Sequence, residues 1–270
     1  MSSSPSSPLS RRTIFIGDVH GMLDELKLLL DEVDLQSGDR LVFLGDLVDK
    51  GPDPLGVVRH VRDLSTRDDL ETHFVRGNHE DKHLRYYRNL SERPKIARQQ
   101  AVSASGLTGF HEQADEDDWA FLHTSIPYLK LDDLNLLAVH GGIPGNMTEL
   151  PALNDYLTAS GKDRNFFKLV WITRYVDRTS GHVVGLGQEA ENDPFWAEVY
   201  DGRFGHVVFG HQPFMEGPSQ FPHATGIDTG AVHGGTLTAL IVPSPERSDW
   251  LTVSVPGKRY SPPLGGSEDD

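Results

Sequence analysis

The apolar residues of this chain come in short runs that each stop at a glycine or a polar pair. Thr13–Ile16, 41–44 and 72–75 are runs of β-branched, Phe or Leu residues, each ending in small and polar residues and followed by an amphipathic stretch. In 22–33, Leu23, Leu26, Leu29, Leu30 and Val33 recur at helical spacing with acids between them, and 54–64 and the segment from His79 take the same place after the second and third runs. The pattern predicts three strand–helix units in the first 90 residues. Residues 135–139, 206–209, 224–228, 235–242 and 250–255 are further strand candidates, whereas 151–196 is mixed and poorly periodic. The second half turns strand-rich.

Both ends break the pattern. The start is Ser/Pro-rich and the end, SPPLGGSEDD, is rich in Pro, Gly and acids, so neither buries enough apolar surface to offset its ordering entropy. One globular domain over 12–256 is expected, with disordered tails at 1–11 and 257–270. Forty Asp and Glu against 25 Lys and Arg give a net charge of −15, which repels nucleic-acid phosphates and argues against a generic nucleic-acid binder. No cysteine is present, so disulfides and thiolate metal sites are excluded. No apolar run suits a signal peptide or approaches the ~20 residues that span a bilayer, and a soluble cytoplasmic protein without a membrane partner is expected.

Candidate chemistry gathers where the predicted strands end. GDVHG (17–21), GDLVDKGP (45–52) and GNHE (77–80) close the first three strands, the position at which open α/β sheets present ligands to a crevice. Asp18, His20, Asp46 and Asn78 can converge there, and the adjacent glycines permit tight turns. NLLAVHGG and VVFGHQP end later strands and add His140 and His211. Carboxylate, imidazole and amide oxygen suit manganese, with iron, zinc, magnesium or cobalt as alternatives. Six donors are too many for one tetrahedral ion but fit two ions ~3.5–4 Å apart bridged by a carboxylate. Such a pair holds a water as hydroxide at neutral pH and binds phosphate oxygens during in-line displacement. The negative chain is then no obstacle to a negative substrate, because the ions dominate the local field.

Taken in order, GDVHG, GDLVDKG, GNHE, VHGG and GHQP resemble the signature of the phosphoprotein-phosphatase branch of the calcineurin-like metallophosphoesterases, over roughly residues 13–242. The resemblance implies an α/β fold with a central β-sandwich flanked by helices. It implies a hydrolase that uses two divalent ions, one held by Asp18 and His20, the other by Asn78, His140 and His211, with Asp46 bridging. It also implies direct attack by metal-bound hydroxide while His79, backed by Asp49, protonates the leaving oxygen. A carboxylate beside an imidazole would keep it protonated and oriented, as a general acid requires.

Two departures narrow the resemblance. Lys50 stands where eukaryotic Ser/Thr phosphatases typically have Arg, giving a point charge for phosphate in place of a fork. GIDTGAVHGGTLTAL after His211 is similar to a segment of the bacterial symmetrical diadenosine-tetraphosphate hydrolases and related small phosphatases, and no SAPNY-type loop is present. The substrate implied is a nucleoside polyphosphate or other phosphorylated small molecule, with phosphoprotein open. Arg174, in VWITRYVD, matches a second phosphate-binding arginine. A catalytically silent metal-binding scaffold would be expected to lose metal or acid residues, and none is lost; a nuclease would need a basic, aromatic stripe that the chain lacks.

The pentapeptide AVHGG occurs twice, at 138–142 and 231–235. Only His140 ends a strand in the ligand slot; His233 follows Asp228-Thr229-Gly230 in a tight connection and is not expected to bind metal. Arg76 reads as a strand-end ion pair. His60, His73, His83, His111 and His123 have no second donor at motif spacing and read as structural. The acids at 115–118 read as a helix start.

Overall fold

A computed structural model describes residues 11–153, 156 and 161–261. The first half follows the strand–helix alternation: β1 (Thr13–Ile16), α1 (Leu23–Val33), β2 (Arg40–Phe43), α2 (Pro54–Ser65), β3 (Glu71–Phe74) and α3 (Asn78–Glu92). Helix α1 buries Leu26, Leu29, Leu30 and Val33 on one stripe. Helix α2 begins where Asp53 accepts from the Gly56 amide at 2.8 Å and Pro54 pre-sets the first turn. Helices α4 (Pro94–Ser103), α5 (Ser105–Gln113) and α6 (Glu116–His123) follow, and the acids at 115–118 do start α6, with Asp115 capping the Asp118 amide.

The rest of the chain adds β4 (Tyr128–Leu131), β5 (Leu136–Val139), α7 (Gly161–Ile172), β6 (Tyr175–Val176), β7 (Val183–Val184), α8 (Trp196–Val199), β8 (His206–Phe209), β9 (Ser219–Gln220), β10 (Ala224–Gly226), β11 (Thr236–Val242) and β12 (Leu251–Pro256). Two five-stranded sheets result, ordered β12-β11-β1-β2-β3 and β4-β5-β8-β10-β9. Within each, three neighbouring strands run parallel: β1, β2 and β3 in one, β5, β8 and β10 in the other.

The period-two pattern assigns each strand residue to a layer. Phe15, Val42, Leu44, Leu136, Ala138, Val208, Leu240 and Val242 pack between the sheets. Ile14, Ile16, Leu41, Phe43 and Ala239 point the other way, onto α1 and α2, while Leu137, Val139, Val207 and Phe209 face Phe167, Val170 and Trp171 of α7. The architecture is the expected α/β one, a β-sandwich flanked by helices, and burial on both faces makes its inner strands read as continuous apolar runs.

The periodicity did not reveal β4, the β6–β7 hairpin or α7. Helix α7 is anchored by aromatics and shows no simple stripe, so tertiary packing decides its conformation. Of the tails expected at 1–11 and 257–270, residues 1–10 and 262–270 lie outside the described residues. Residues 257–261 run back along the second AVHGG loop, where the Gly257 amide donates to Gly235 O at 2.8 Å and the Tyr260 amide to Val232 O at 2.9 Å.

Asp118 ties α6 to α2. Its buried carboxylate receives Arg59 Nη2 at 2.9 Å and Arg62 Nη1 at 2.8 Å. Burial raises its pKa, but Arg59, the Asp115 amide and Arg62 outweigh burial and hold it below the ordinary value. The folded carboxyl is therefore the stronger acid, and its contribution is present above the unfolded value and lost as pH falls through the folded one. Asp118→Asn should lower stability at pH 7 by about 1–2 kcal/mol, Arg59 being partly exposed. Urea unfolding across pH should show that gap constant above about pH 5 and narrowing below about pH 4; a gap that widens in acid contradicts the assignment.

Candidate metal centre

The motifs meet because the parallel trios of both sheets end at one edge of the sandwich. β1 delivers Asp18 and His20, β2 delivers Asp46, Asp49 and Lys50, and β3 delivers Asn78 and His79 at the start of α3. From the second sheet, β5 delivers His140, β8 delivers His211 and β10 leads into Asp228. The backbone there is unusual: His20, Asp46, Asp49, Lys50 and His211 have φ of 45°, 52°, 67°, 62° and 66°. That region is costly for any residue with a Cβ, so the loops hold these side chains against local preference.

Hydrogen bonds tie the loops together. Asp46 O accepts from the Val19 and His20 amides at 3.1 and 2.8 Å. Asp46 Oδ1 accepts from the His79 amide at 3.1 Å, and both Asp18 oxygens accept from the His211 amide at 3.1 Å. A Cβ on Gly210 would sit 2.1 Å from Asp18 Oδ1, and one on Gly77 2.1 Å from Asp46 Oδ1, so the motif glycines let the backbone meet the carboxylates. Glu80, the last residue of GNHE, accepts from the amides of Asp46, Leu47 and Gly77 at 2.8, 2.8 and 2.9 Å.

Three imidazoles surround Asp46: Nε2 of His140, His20 and His79 lies 3.3, 3.6 and 3.9 Å from its Oδ2. His20 Nδ1 donates to Val48 O at 2.9 Å and His140 Nδ1 to Leu44 O at 2.8 Å. A carbonyl can only accept, so these bonds put a proton on Nδ1 and turn Nε2 toward the centre, the tautomer of a metal ligand. Asn78 Oδ1 is 3.0 Å from His140 Nε2. The His140 and His211 rings lie 4.8 Å apart.

Electrostatics give the set an affinity for positive charge. Burial and then the charge of Asp228 push Asp18 well above the usual carboxylate range, and burial raises Asp228 too. Burial also opposes the charge on Asp46, but His140, His79 and His20 outweigh it and hold Asp46 well below its ordinary value. His140 is pushed up to about 9: Asp46 and Asp18 overcome the burial that lowers it. Burial and neighbouring cations lower His20 and His211, by Lys50 and Arg174 respectively. Neutral imidazoles facing crowded carboxylates, with a proton trapped on His140, form a donor set that a cation completes.

Among the described residues two groups could hold an ion: His20, Asp46 and His79, and Asp46, His140 and His211, each with ligand atoms within 4.8 Å of one another; Asp18, expected beside His20, falls in neither. Asp46 belongs to both. Asp18, Lys50, Asn78 and Arg174 line the same cavity. His233 lines it as well but belongs to neither group; its amide donates to Gly230 O at 2.9 Å in the tight connection before β11.

His79 Nδ1 donates to Asp49 Oδ2 at 2.6 Å. Burial draws the His79 imidazole below its ordinary value, while Asp46 and the hydrogen bond to Asp49 oppose that by favouring the charged form. Asp49 also fixes the orientation of the ring. It is itself held by His83 Nε2 at 2.7 Å and Lys82 Nζ at 2.5 Å. His83 read as structural, yet it sits four residues after His79, one turn along the same face of α3, and that spacing was the available signal. Arg76 has no carboxylate partner among the described residues; it donates to Ser125 Oγ at 2.9 Å and lies 5.0 Å over the Tyr156 ring.

Comparison with known proteins agrees with this geometry. The family model of calcineurin-like phosphoesterases matches residues 11–215, and the chain belongs to that family of hydrolases. It is 32% identical over 252 residues to the asymmetrical bis(5'-nucleosyl)-tetraphosphatase PrpE of Bacillus thuringiensis (strain Al Hakam), covering 89% of this chain and 92% of that protein. Identity to the protein of the same name from Anoxybacillus flavithermus is 33% over 258 residues, with the same coverage. These relatives are named for asymmetrical cleavage, whereas the motif after His211 resembled the symmetrical hydrolases. A solved structure with the provisional description of diadenosine tetraphosphatase superposes with a TM-score of 0.68 at 25% identity, over 93% of this chain and 95% of that one.

Glu80 offers a direct test of how the loops are held. Burial and the charge of Asp46 push its carboxyl up to about 7, while His140 and the amides of Asp46 and Gly77 pull it down. Glu80→Ala leaves the three buried N–H groups of Asp46, Leu47 and Gly77 without an acceptor, at about 1–3 kcal/mol each. Metal-free protein should lose about 3–9 kcal/mol in urea unfolding, and Glu80→Gln, which keeps one carbonyl acceptor, about half of that. A Glu80→Ala variant as stable as wild type would show that the carboxylate does not hold the loops.

Proposed function

We propose that this chain is a divalent-metal-dependent hydrolase of nucleoside polyphosphates, cutting a phosphoanhydride of a substrate such as diadenosine tetraphosphate, with simple phosphomonoesters as poorer substrates. The observation that carries this reading is the membership of Asp46 in both ion-holding groups, under Lys50 and Arg174. The PrpE relatives, named as bis(5'-nucleosyl)-tetraphosphatases, support the substrate class. All the donors are present, which counts against a catalytically silent scaffold.

Two divalent ions, manganese first among the candidates, held by Asp18, His20, Asp46, Asn78, His140 and His211, would supply positive charge to phosphate oxygens and acidify the attacking water. The remaining work belongs to the side chains. Lys50 and Arg174 hold the phosphate, Lys as a point charge and Arg as a fork. In its imidazolium form, which Asp46 and Asp49 favour, His79 delivers the proton on Nε2, the nitrogen turned to the centre, to the leaving oxygen, while Asp49 fixes the ring through Nδ1 and His83 and Lys82 fix Asp49. A covalent nucleophile is not assigned: the chain has no cysteine, Asp18 and Asp46 take ligand positions, Asp49 holds His79, and Asp228 accepts from the Gly230 amide at 2.9 Å.

Manganese-loaded protein assayed on diadenosine tetraphosphate, tripolyphosphate, nitrophenyl phosphate and a phosphoserine peptide tests the reading. The highest kcat/KM is expected for diadenosine tetraphosphate; a preference for the phosphopeptide, or no manganese-dependent hydrolysis, would reject it. His79→Asn should lower kcat on the dinucleotide by roughly 10²–10⁴-fold, the range of a lost general acid. Its metal content should not change, and the loss on nitrophenyl phosphate, whose leaving group needs no proton, should be smaller. Equal losses on both substrates would remove His79 from that role.

A further inference from the structure

A second hollow, of about 280 Å³, opens beside the metal centre and shares Asn78, Arg174 and His211 with it, running between α3, α7 and the β6–β7 hairpin. On a chain of net charge −15 its lining inverts the sign: Lys82, Arg85, Lys168 and Arg174 face Asp81 alone. Lys82 is engaged by Asp49 at 2.5 Å and Arg85 by Asp81 at 3.0 Å. Arg174 and Lys168 have no carboxylate within 4 Å among the described residues, and Arg174 donates to His211 O at 3.2 Å. Two buried donors on this lining, Arg174 Nε and Trp171 Nε1, have no acceptor among the described residues. The far wall is apolar, built from Ile172, Val183, Val184 and Leu186, the last 44% exposed.

Unpaired cations and donors without acceptors call for a ligand that is negative and accepts only; an apolar wall at the other end calls for a flat apolar group. A polyphosphate ending in a nucleobase has both, and a phosphomonoester is too short to use either. We propose that this cleft is the subsite for the leaving half of a nucleoside polyphosphate, with Lys168 holding the phosphates beyond the one that Arg174 grips at the shared edge, and the base resting on Val183, Val184 and Leu186. The inference rests on the hydrolase reading above and assigns the residues that would make the enzyme prefer a long anhydride.

Two variants test it, Lys168→Glu and the exposed Leu186→Asp, each checked by thermal melting. With manganese, the ratio of kcat/KM for diadenosine tetraphosphate to that for nitrophenyl phosphate should fall at least about tenfold in Lys168→Glu and about threefold or more in Leu186→Asp, chiefly through KM. Calorimetry on metal-free protein gives a second readout: ATP should bind more tightly than inorganic phosphate to wild type, and Lys168→Glu should erase the difference. Unchanged ratios in both variants, or ATP and phosphate binding alike to wild type, would overturn the subsite, as would a phosphopeptide whose kcat/KM falls in step with the dinucleotide. Wild type inert on every ester would instead reject the hydrolase reading, and the ATP titration would still decide the cleft.

Discussion

Asp46 is a buried carboxylate with three imidazole nitrogens within 4 Å, and the edge of the sandwich is organised around it. Its side chain belongs to both ion-holding groups, its carbonyl anchors the Val19 and His20 amides, and its own amide is held by Glu80. A carboxylate taken out of water is stable only with opposite charge beside it. Here that charge is supplied by His140, which the same carboxylate, with Asp18, pushes up to about 9. A proton on His140 and a divalent ion answer the same electrostatic demand, so the fold is already poised for metal.

The arrangement costs conformational energy. Five centre residues take positive φ although none is glycine, and three carboxylates, Asp18, Asp46 and Asp228, are buried at one edge. The opposing stabilisation comes from the inter-sheet core of Phe15, Val42, Leu136, Val208 and Leu240 and its two helical covers. Parallel strands in both sheets carry the loops to one rim, so rigid hydrogen-bonded elements set the loop positions and the glycines at 77 and 210 allow the last close approach. Function here is a property of the rim, and the two sheets are what make the rim unable to relax.

Much of this was legible in the sequence for physical reasons that also mark the gaps. Strands buried on both faces read as apolar runs, so β1, β2, β8 and β11 stood out; β4, whose Leu129 and Lys130 are less buried, did not. Asp18, His20, Asp46, Asn78, His140 and His211 stood out because each follows a strand end; five of them line one cavity, and His140 lies behind it with Nε2 3.3 Å from Asp46 Oδ2. Glu80 escaped notice because its partners are backbone amides of a distant loop, although a Glu at the third helical position is a capping signal. His83 and the cleft under α7 depend on contacts between elements far apart in sequence, which no local pattern encodes.

The central claim is that one carboxylate joins two ions. Electron paramagnetic resonance of protein loaded to saturation with Mn²⁺ addresses it directly, because two ions ~3.5–4 Å apart through a shared carboxylate are exchange-coupled. The account predicts a coupled multiline spectrum at two ions per chain in wild type, replaced by the six-line signal of an isolated ion in Asp46→Asn. An isolated-ion signal from fully active wild type at one ion per chain would contradict it.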